Sequence, residues 1–277
     1  ECTWLPGGVP FQTGKRGLYG IPSLNMTARD FFMTTNFAYS RKSDAWLYVL
    51  PKRVASPELS MFCSHLLGEL ETRRNQMEDP YTFRGIREYT YGDTYGKINW
   101  KATAKASKLM VNMYGYTSEQ RVRILLNLET NIMVKTEYLQ EMSIRMAGTI
   151  AEYFLQHKVS VELVSNGIDC MTGACERVEA GMSMEHGETI DKYLARIKEN
   201  AGIDAFMQMV DTEIQQMEEP ITYVIISPYY KEDLLLKLDY MHKKHPELHM
   251  VVPYYDIQDK TGWRGYMQGV EVKWNEI

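Results

Sequence analysis

The sequence predicts an α/β protein, with a mainly parallel sheet covered by helices on both faces and a small all-β domain before it. From residue 121 onward, short apolar runs alternate with longer segments in which apolar residues recur every three or four positions. Strands that alternate with helices in this way form parallel sheets buried on both faces. Residues 1–60 instead combine short apolar runs with frequent glycine and proline, which predicts a sandwich-like β domain.

Composition restricts the class of protein. The chain has 277 residues, of which 44% are hydrophobic and 24% charged, as in globular proteins that bury a sizeable core. Its net charge of −5 provides no bulk attraction to nucleic acid or to an anionic membrane surface. The chain contains no run of eighteen apolar residues that would cross a bilayer, so we expect it to be soluble as given. Because it begins with Glu1 rather than methionine, we expect it to be a piece of a longer protein.

Within the first half, the short apolar run 45–50 and the alternating stretch 20–26 predict β-strands. Residues 56–80 are polar and charged and are interpreted as the start of a connector, with at most a short helix at 64–71. We assign residues 61–120 to this connector and to a distinctive segment that packs the two halves together.

The second half, residues 121–277, contains the α/β pattern. Strands are predicted at 122–128, 159–164, 222–227 and 249–254, and helices at 135–158, 187–200 and 231–244. A further apolar face at 206–217 is predicted to be buried, with partner binding as the alternative.

Residues 79–111, which we call the signature segment, are the most distinctive part of the chain. They contain Phe-Arg-Gly-Ile-Arg-Glu-Tyr at 83–89, Gly-Asp at 92–93 and Ile-Asn-Trp-Lys-Ala-Thr-Ala at 98–104. This stretch resembles the signature of a large bacterial family, domain of unknown function 58. The likeness continues more weakly upstream, where the family has an arginine-aspartate-proline turn. Here Phe31 follows Asp30, so we expect that turn to be altered.

The resemblance implies a von Willebrand A-like (Rossmann-like) fold for the α/β half. It also implies an N-terminal membrane anchor outside this chain, with the folded part at the cytoplasmic face of the membrane. Members of the family are commonly encoded beside MoxR-type AAA+ ATPases. The partner implied is therefore such an ATPase, or a protein that it helps to assemble or mature.

The residues of the signature segment also predict a structural role that does not depend on the family resemblance. Residues 84–101 carry six charges of both signs, interleaved with aromatic side chains. Mixed charges of this kind usually pair with one another, so we predict a packed network that holds the two halves together. A surface for a partner protein is the alternative, and nucleic acid is disfavoured because the carboxylates would repel phosphate. The network residues are Arg84, Gly85, Arg87, Glu88, Tyr89, Gly92, Asp93, Asn99, Trp100 and Lys101.

A metal site is expected to be degenerate. Von Willebrand A domains often bind Mg²⁺ through an Asp-x-Ser-x-Ser turn after the first strand, where hard oxygen ligands suit the ion. The matching positions here begin with Asn127, and neither serine is present. We therefore predict no metal and no cofactor, and treat this turn as a candidate binding edge. Its residues are Asn127, Glu129, Thr130, Asn131 and, after the central strand, Ser227.

No catalytic motif accompanies the fold. The sequence contains no nucleophile elbow, phosphate-binding loop or dinucleotide fingerprint, and its four cysteines are too scattered for a disulfide framework. The prediction is a non-enzymatic protein-interaction or adaptor module. The alternatives are a metal-dependent ligand-binding domain of the same fold and an enzyme of unrecognised class.

Overall fold

The computed structural model describes residues 14–76, 78–116, 120–129, 136–198, 205–216, 221–254 and 262–271. The strands are β1 Gly17–Arg29, β2 Asn36–Val49, β3 Glu78–Glu88, β4 Met110–Tyr116, β5 Arg121–Leu126, β6 Ser160–Ser165, β7 Ile168–Asp169, β8 Arg177–Gly181, β9 Ile197–Lys198, β10 Ile221–Ile226, β11 Leu248–Tyr254 and β12 Met267–Glu271. The helices are α1 Pro57–Gln76, α2 Trp100–Ala106, α3 Thr136–Gln156, α4 Met184–Arg196, α5 Ala205–Gln215 and α6 Glu232–Lys244, with a 3-10 turn at Tyr95–Lys97.

A six-stranded sheet forms the centre of the α/β part, in the order β12-β11-β10-β5-β6-β8. Its neighbouring strands are parallel except for β8, which runs antiparallel to β6 at one edge. The prediction of a mixed α/β fold with a mainly parallel sheet is confirmed. Chain order reverses direction on the two sides of the β5–β10 pair, which places the switch point of this doubly wound sheet between these strands.

Both faces of the sheet are buried because successive side chains of a strand point in opposite directions. Ile124 and Leu126 of β5 belong to one apolar cluster with residues of α1, α3 and α4. Leu125 of the same strand belongs to a second cluster with residues of α5 and α6. Each of these three side chains is fully buried, which explains the consecutive apolar residues at the end of β5.

The sequence predicts a connector from residue 56 onward with at most a short helix at 64–71, and this prediction is wrong about the helix. Residues 57–76 form a helix of 20 residues. Leu59, Cys63, Leu66 and Leu70 are buried at spacings of three and four in the same cluster as α3, and α1 contacts α3 and β12. The abundant charged residues between these positions occupy the solvent face, which is why the composition resembled that of a linker.

The N-terminal β region is a two-stranded antiparallel ribbon in the described residues, not a demonstrated sandwich. β1 pairs with β2 along nearly its whole length, with an irregularity between Ile21 and Ser23. At the tip, Asp30 accepts hydrogen bonds from Thr34 Oγ1 and from the Thr35 backbone N–H, at 2.5 and 3.0 Å. This turn projects Phe31 outward, with 94% of its surface exposed.

The signature segment forms a second antiparallel hairpin. β3 pairs with β4, and the 3-10 turn and α2 lie in the connection between them. Asn99 caps α2, since its side chain accepts a hydrogen bond from the Ala102 backbone N–H at 2.9 Å. Ser107 ends the helix in the left-handed conformation.

No helix in the described ranges is both long enough and apolar enough to cross a bilayer.

Candidate functional site

The candidate binding edge lies where the two central strands end. β5 and β10 are paired in parallel and terminate at the same level, at Leu126 and Ile226. Backbone hydrogen bonds continue one residue further, from Asn127 N–H to the Ile226 carbonyl at 2.8 Å and from Ser227 N–H to the Val251 carbonyl at 3.1 Å. The side chains of Asn127 and Ser227 are thereby brought together at the switch point of the sheet.

These two side chains form the centre of a buried polar network. Asn127 Nδ2 donates to Ser227 Oγ at 2.9 Å, and Asn127 Oδ1 accepts from Asn166 Nδ2 and from the Glu129 backbone N–H, both at 2.9 Å. Ser227 Oγ in turn donates to the Tyr229 carbonyl at 2.7 Å and accepts from the Tyr229 backbone N–H at 3.1 Å. Asn127 and Ser227 are both fully buried.

The hydrogen bonding of this network does not suit a cation. An amide oxygen has two lone pairs, and both of those on Asn127 accept hydrogen bonds, while its NH₂ group points at the Ser227 hydroxyl. A Mg²⁺ ion bound here would have to displace these bonds and face an amide donor. Thr130 and Asn131, the other two residues predicted for the edge, lie outside the described residues.

Glu129 is the carboxylate of the edge and is only partly buried. One of its oxygens, Oε1, lies 3.4 Å from both Asn166 Nδ2 and the Phe206 backbone nitrogen at the start of α5. The negative charge therefore sits beside the switch point, above a network whose other members are neutral. Among the described residues of the edge, Glu129 is the carboxylate that remains partly exposed.

The signature residues form contacts inside their own hairpin. Arg87 makes a bidentate ion pair with Asp93, with distances of 2.7 and 2.6 Å, and Lys108 pairs with Glu88 at 2.9 Å. The Thr90 backbone N–H also donates to Asp93 at 2.8 Å. Together these donors hold the pKa of the Asp93 carboxyl well below its usual value, the Arg87 hydrogen bond contributing most.

Four other predicted signature residues have structural roles in the same hairpin. The Tyr89 and Tyr95 rings stack with centroids 6.1 Å apart. Gly85 lies in β3 opposite Met113, and Gly92 has a φ of +114°, a conformation that side chains rarely adopt. Asn99 Nδ2 donates to Asn112 Oδ1 of β4 at 2.7 Å.

The remaining signature residues, Arg84, Trp100 and Lys101, are exposed. Trp100 leaves 69% of its surface accessible. The contacts just described run within the hairpin, and the role of this network in joining the two halves stays a prediction.

Two arginines that sequence reasoning did not assign attach the N-terminal ribbon and its following loop to the α/β part. Arg16 donates to Glu141 of α3 and to the carbonyls of Leu194 and Ile197 at the end of α4, at 2.7, 2.7 and 3.0 Å. Arg53 pairs with Asp191 of α4 and with a carboxylate of α3. No local pattern in the sequence identifies the partners of either arginine.

A buried charge cluster was also missed. Arg123 of β5 pairs with Glu162 of β6 and with Glu213 of α5, and Arg177 of β8 pairs with the same two carboxylates. Arg123, Glu162 and Glu213 are each buried. The available signal was an arginine in the middle of an otherwise apolar strand, which requires a buried partner.

Other reactive side chains do not converge. Within the described ranges, no three His, Cys, Asp or Glu side chains are arranged to hold a metal ion. Burial raises the pKa of the Cys63 thiol to about 12, so it remains a protonated core side chain. Cys170 and Cys175, between β7 and β8, are thiols that form no disulfide with each other, and Cys175 Sγ donates to the Asn166 carbonyl at 3.5 Å. Burial lowers the pKa of His249, with Glu69 opposing at 3.3 Å.

No protein-family model matches the chain, and no curated protein matches it at a significant level. Its function is therefore inferred from the fold and from the geometry of the candidate site.

Proposed function

We propose that this chain is a non-enzymatic protein-interaction module with a von Willebrand A-like fold, related to the domain of unknown function 58 family. In this proposal it is the cytoplasmic part of a membrane-anchored protein. It works with a MoxR-type AAA+ ATPase in the assembly or maturation of other proteins, and it binds at the carboxyl ends of β5 and β10, where Glu129 lies over the buried side chains of Asn127 and Ser227.

The order of the sheet supports the fold assignment. A sheet ordered β12-β11-β10-β5-β6-β8, with an antiparallel strand at the β8 edge, has its switch point between β5 and β10, the first and fourth strands of this sheet in chain order. Open α/β sheets bind ligands at the carboxyl ends of the strands beside such a switch point. The signature segment, which precedes this sheet in the chain, supports the family resemblance.

The closed network at the switch point is the observation that carries the proposal. Asn127 and Ser227 satisfy each other and the neighbouring backbone, so the edge is rigid and needs no ion to complete it. A rigid surface whose described residues include a partly exposed carboxylate, Glu129, suits recognition of a protein surface that presents a positive charge. The metal-dependent alternative requires those hydrogen bonds to be exchanged for metal ligands.

The enzyme alternative has less support from the described side chains. Cys63 is buried and protonated, and the carboxyl with a strongly lowered pKa, Asp93, is held by an ion pair inside a hairpin rather than in a cleft. Perturbed groups in structural ion pairs are not by themselves a catalytic site.

The proposal is tested by measuring the affinity of the purified chain for a purified MoxR-type ATPase from the same organism, with and without Mg-ATP. Wild-type chain is expected to bind, and Glu129→Lys to weaken binding by about tenfold or more because it reverses the charge of the edge. The matched control is Glu179→Lys on β8, an exposed charge reversal at the far edge of the sheet.

Equal affinity of wild type and Glu129→Lys would contradict the assignment of the binding edge. Failure of the wild type to bind the ATPase in either nucleotide state would contradict the proposed partner. The metal alternative predicts that millimolar Mg²⁺ raises the melting temperature, and our proposal predicts no change.

A further inference from the structure

The described side chains of the signature hairpin, residues 83–114, have a charge balance opposite to that of the rest of the protein. They include six lysines and arginines against two carboxylates, a net charge of +4 in a chain whose total is −5. All other residues together therefore carry −9. A local field of this sign attracts an anionic partner to this part of the molecule.

The two carboxylates of the hairpin are already paired. Asp93 is bound by Arg87, and Glu88 by Lys108. Lys101 and Lys105 are exposed and make no ion pair within the described part of the chain. They lie four residues apart on α2, where like charges face one another and repel. An anionic group placed between the two ammonium groups would relieve that repulsion and pair with both.

The anchoring of α2 determines which of its faces is presented to solvent. Asn99 and Thr103, one turn apart, attach the helix to β4, where Asn99 Nδ2 donates to Asn112 and Thr103 Oγ1 accepts from the Met110 backbone N–H at 3.0 Å. The opposite face consists of Trp100, Lys101, Ala104 and Lys105, all exposed. We call these four residues the α2 outer face.

An exposed tryptophan beside a lysine pair combines an apolar platform with positive charge. Trp100 is 69% exposed, and the small side chain of Ala104, one turn further along α2, leaves the surface beside it open. Tryptophan is enriched among the residues that dominate binding energy in protein interfaces. The surface therefore fits a ligand with both a carboxylate and an apolar side chain.

We propose that the α2 outer face binds an acidic, partly apolar segment of a partner protein. A carboxylate of that segment lies between Lys101 and Lys105, and a neighbouring apolar side chain packs on Trp100. This inference rests on the proposed protein-binding function and adds to it a second surface, separate from the edge at Asn127 and Ser227, with a stated ligand chemistry.

A nucleic acid fits this surface less well. Affinity for nucleic acid depends on several phosphate contacts by lysine and arginine. Here the carboxylates of Glu88 and Asp93 lie in the same hairpin, and the rest of the chain repels phosphate with its net negative charge. A peptide segment can place a carboxylate on the lysine pair and an apolar side chain on Trp100 at the same time.

The test uses a fluorescently labelled synthetic peptide rich in glutamate with one leucine, titrated with the whole chain at low salt and read by anisotropy. Binding is expected for wild type, and Lys101→Glu with Lys105→Glu is expected to weaken it by about tenfold or more. Lys42→Glu with Lys52→Glu provides the same change in net charge at exposed positions outside the hairpin. Circular dichroism checks that each variant is folded, and Lys101→Gln with Lys105→Gln replaces the reversed pair if it is not.

Loss of binding in the α2 variants with retention in the control supports the proposal. An equal loss of peptide binding in the α2 double variant and in the control double variant would overturn it, since the attraction would then reflect net charge alone. Tighter binding of a single-stranded DNA of equal charge would also overturn it. Glu129→Lys separates the two proposals, because it is expected to bind the peptide normally whether or not it binds the ATPase.

Discussion

The α/β part and the two β-hairpins differ in how they are stabilised. In the α/β part, the strands β5 and β10 are buried on both faces and the helices cover them with two continuous apolar clusters. In β1 and β2, by contrast, every described residue is exposed or partly buried, and in the described side chains of the signature hairpin only Ile98 and Val111 are buried. The α/β part is therefore stabilised by its apolar core, whereas the two hairpins are held mainly by pairing between their own strands.

This difference indicates where stability and recognition lie. A two-stranded ribbon is marginal by itself in water, so β1–β2 depends on its attachment through residues such as Arg16. Exposed apolar side chains such as Phe31, Phe32 and Trp100 are concentrated in the hairpins. Mutations in the α/β part are expected to change global stability, and mutations in the hairpins to change binding or association.

The largest expected effect is in the buried charge cluster. Replacing Arg123 by methionine leaves Glu162 and Glu213 buried with Arg177 as their remaining cation among the described residues, which should lower the free energy of unfolding by about 3–5 kcal/mol. Urea denaturation measures the change. As a control, Arg87→Met removes an exposed arginine from an ion pair of the hairpin and should leave the global transition in place. Equal effects of the two substitutions would contradict the contrast between the regions.

A somewhat smaller effect is expected in α1. Leu66→Ala removes a side chain that is 1% exposed in the core cluster and should cost about 2–5 kcal/mol in the free energy of unfolding. Met61→Ala, on the same helix but 73% exposed, should change stability by no more than about 0.5 kcal/mol. If both substitutions proved neutral in thermal or urea unfolding, α1 would be a surface connector after all.

The smallest effect concerns the pH response of the signature hairpin. Because Arg87 and the Thr90 N–H lower the pKa of Asp93 from its usual 3.8, the carboxylate favours the folded hairpin above that pH. This contribution is lost as the pH falls below 3.8 towards the lowered value. The carboxyl carbon chemical shift of Asp93, followed by NMR, should therefore titrate at lower pH than in the Arg87→Gln variant. A titration unchanged by that substitution would show that Arg87 does not hold the carboxylate.

The sequence predictions were more accurate for the buried strands of the α/β part than for the elements at its edges. The strands predicted at 122–128, 159–164, 222–227 and 249–254 correspond to β5, β6, β10 and β11, because fully buried strands leave long apolar runs. The helix predicted at 187–200 ends instead at Arg196, since Ile197 and Lys198 pair with β7. The edge strands β8 and β12 were not predicted.

Part of the candidate site was also accessible from the sequence. The position of Asn127 and Ser227 after two parallel strands was enough to place them at one edge. Their hydrogen bonds to each other and to Asn166 were not predictable, since Asn166 follows a third strand and its side chain reaches the network only through the sheet register.

The amino-acid sequence by itself determined the α/β class, the central strands and the main helices, because periodic burial leaves a pattern in local composition. It also showed that the edge lacks the aspartate and serines of a metal site. The tertiary structure alone decided that α1 belongs to the core, that Arg123 has buried partners on β6 and α5, and that α2 turns its Trp100 and lysine face to solvent. These features depend on contacts between residues far apart in the chain, and such contacts cannot be predicted from a local sequence pattern.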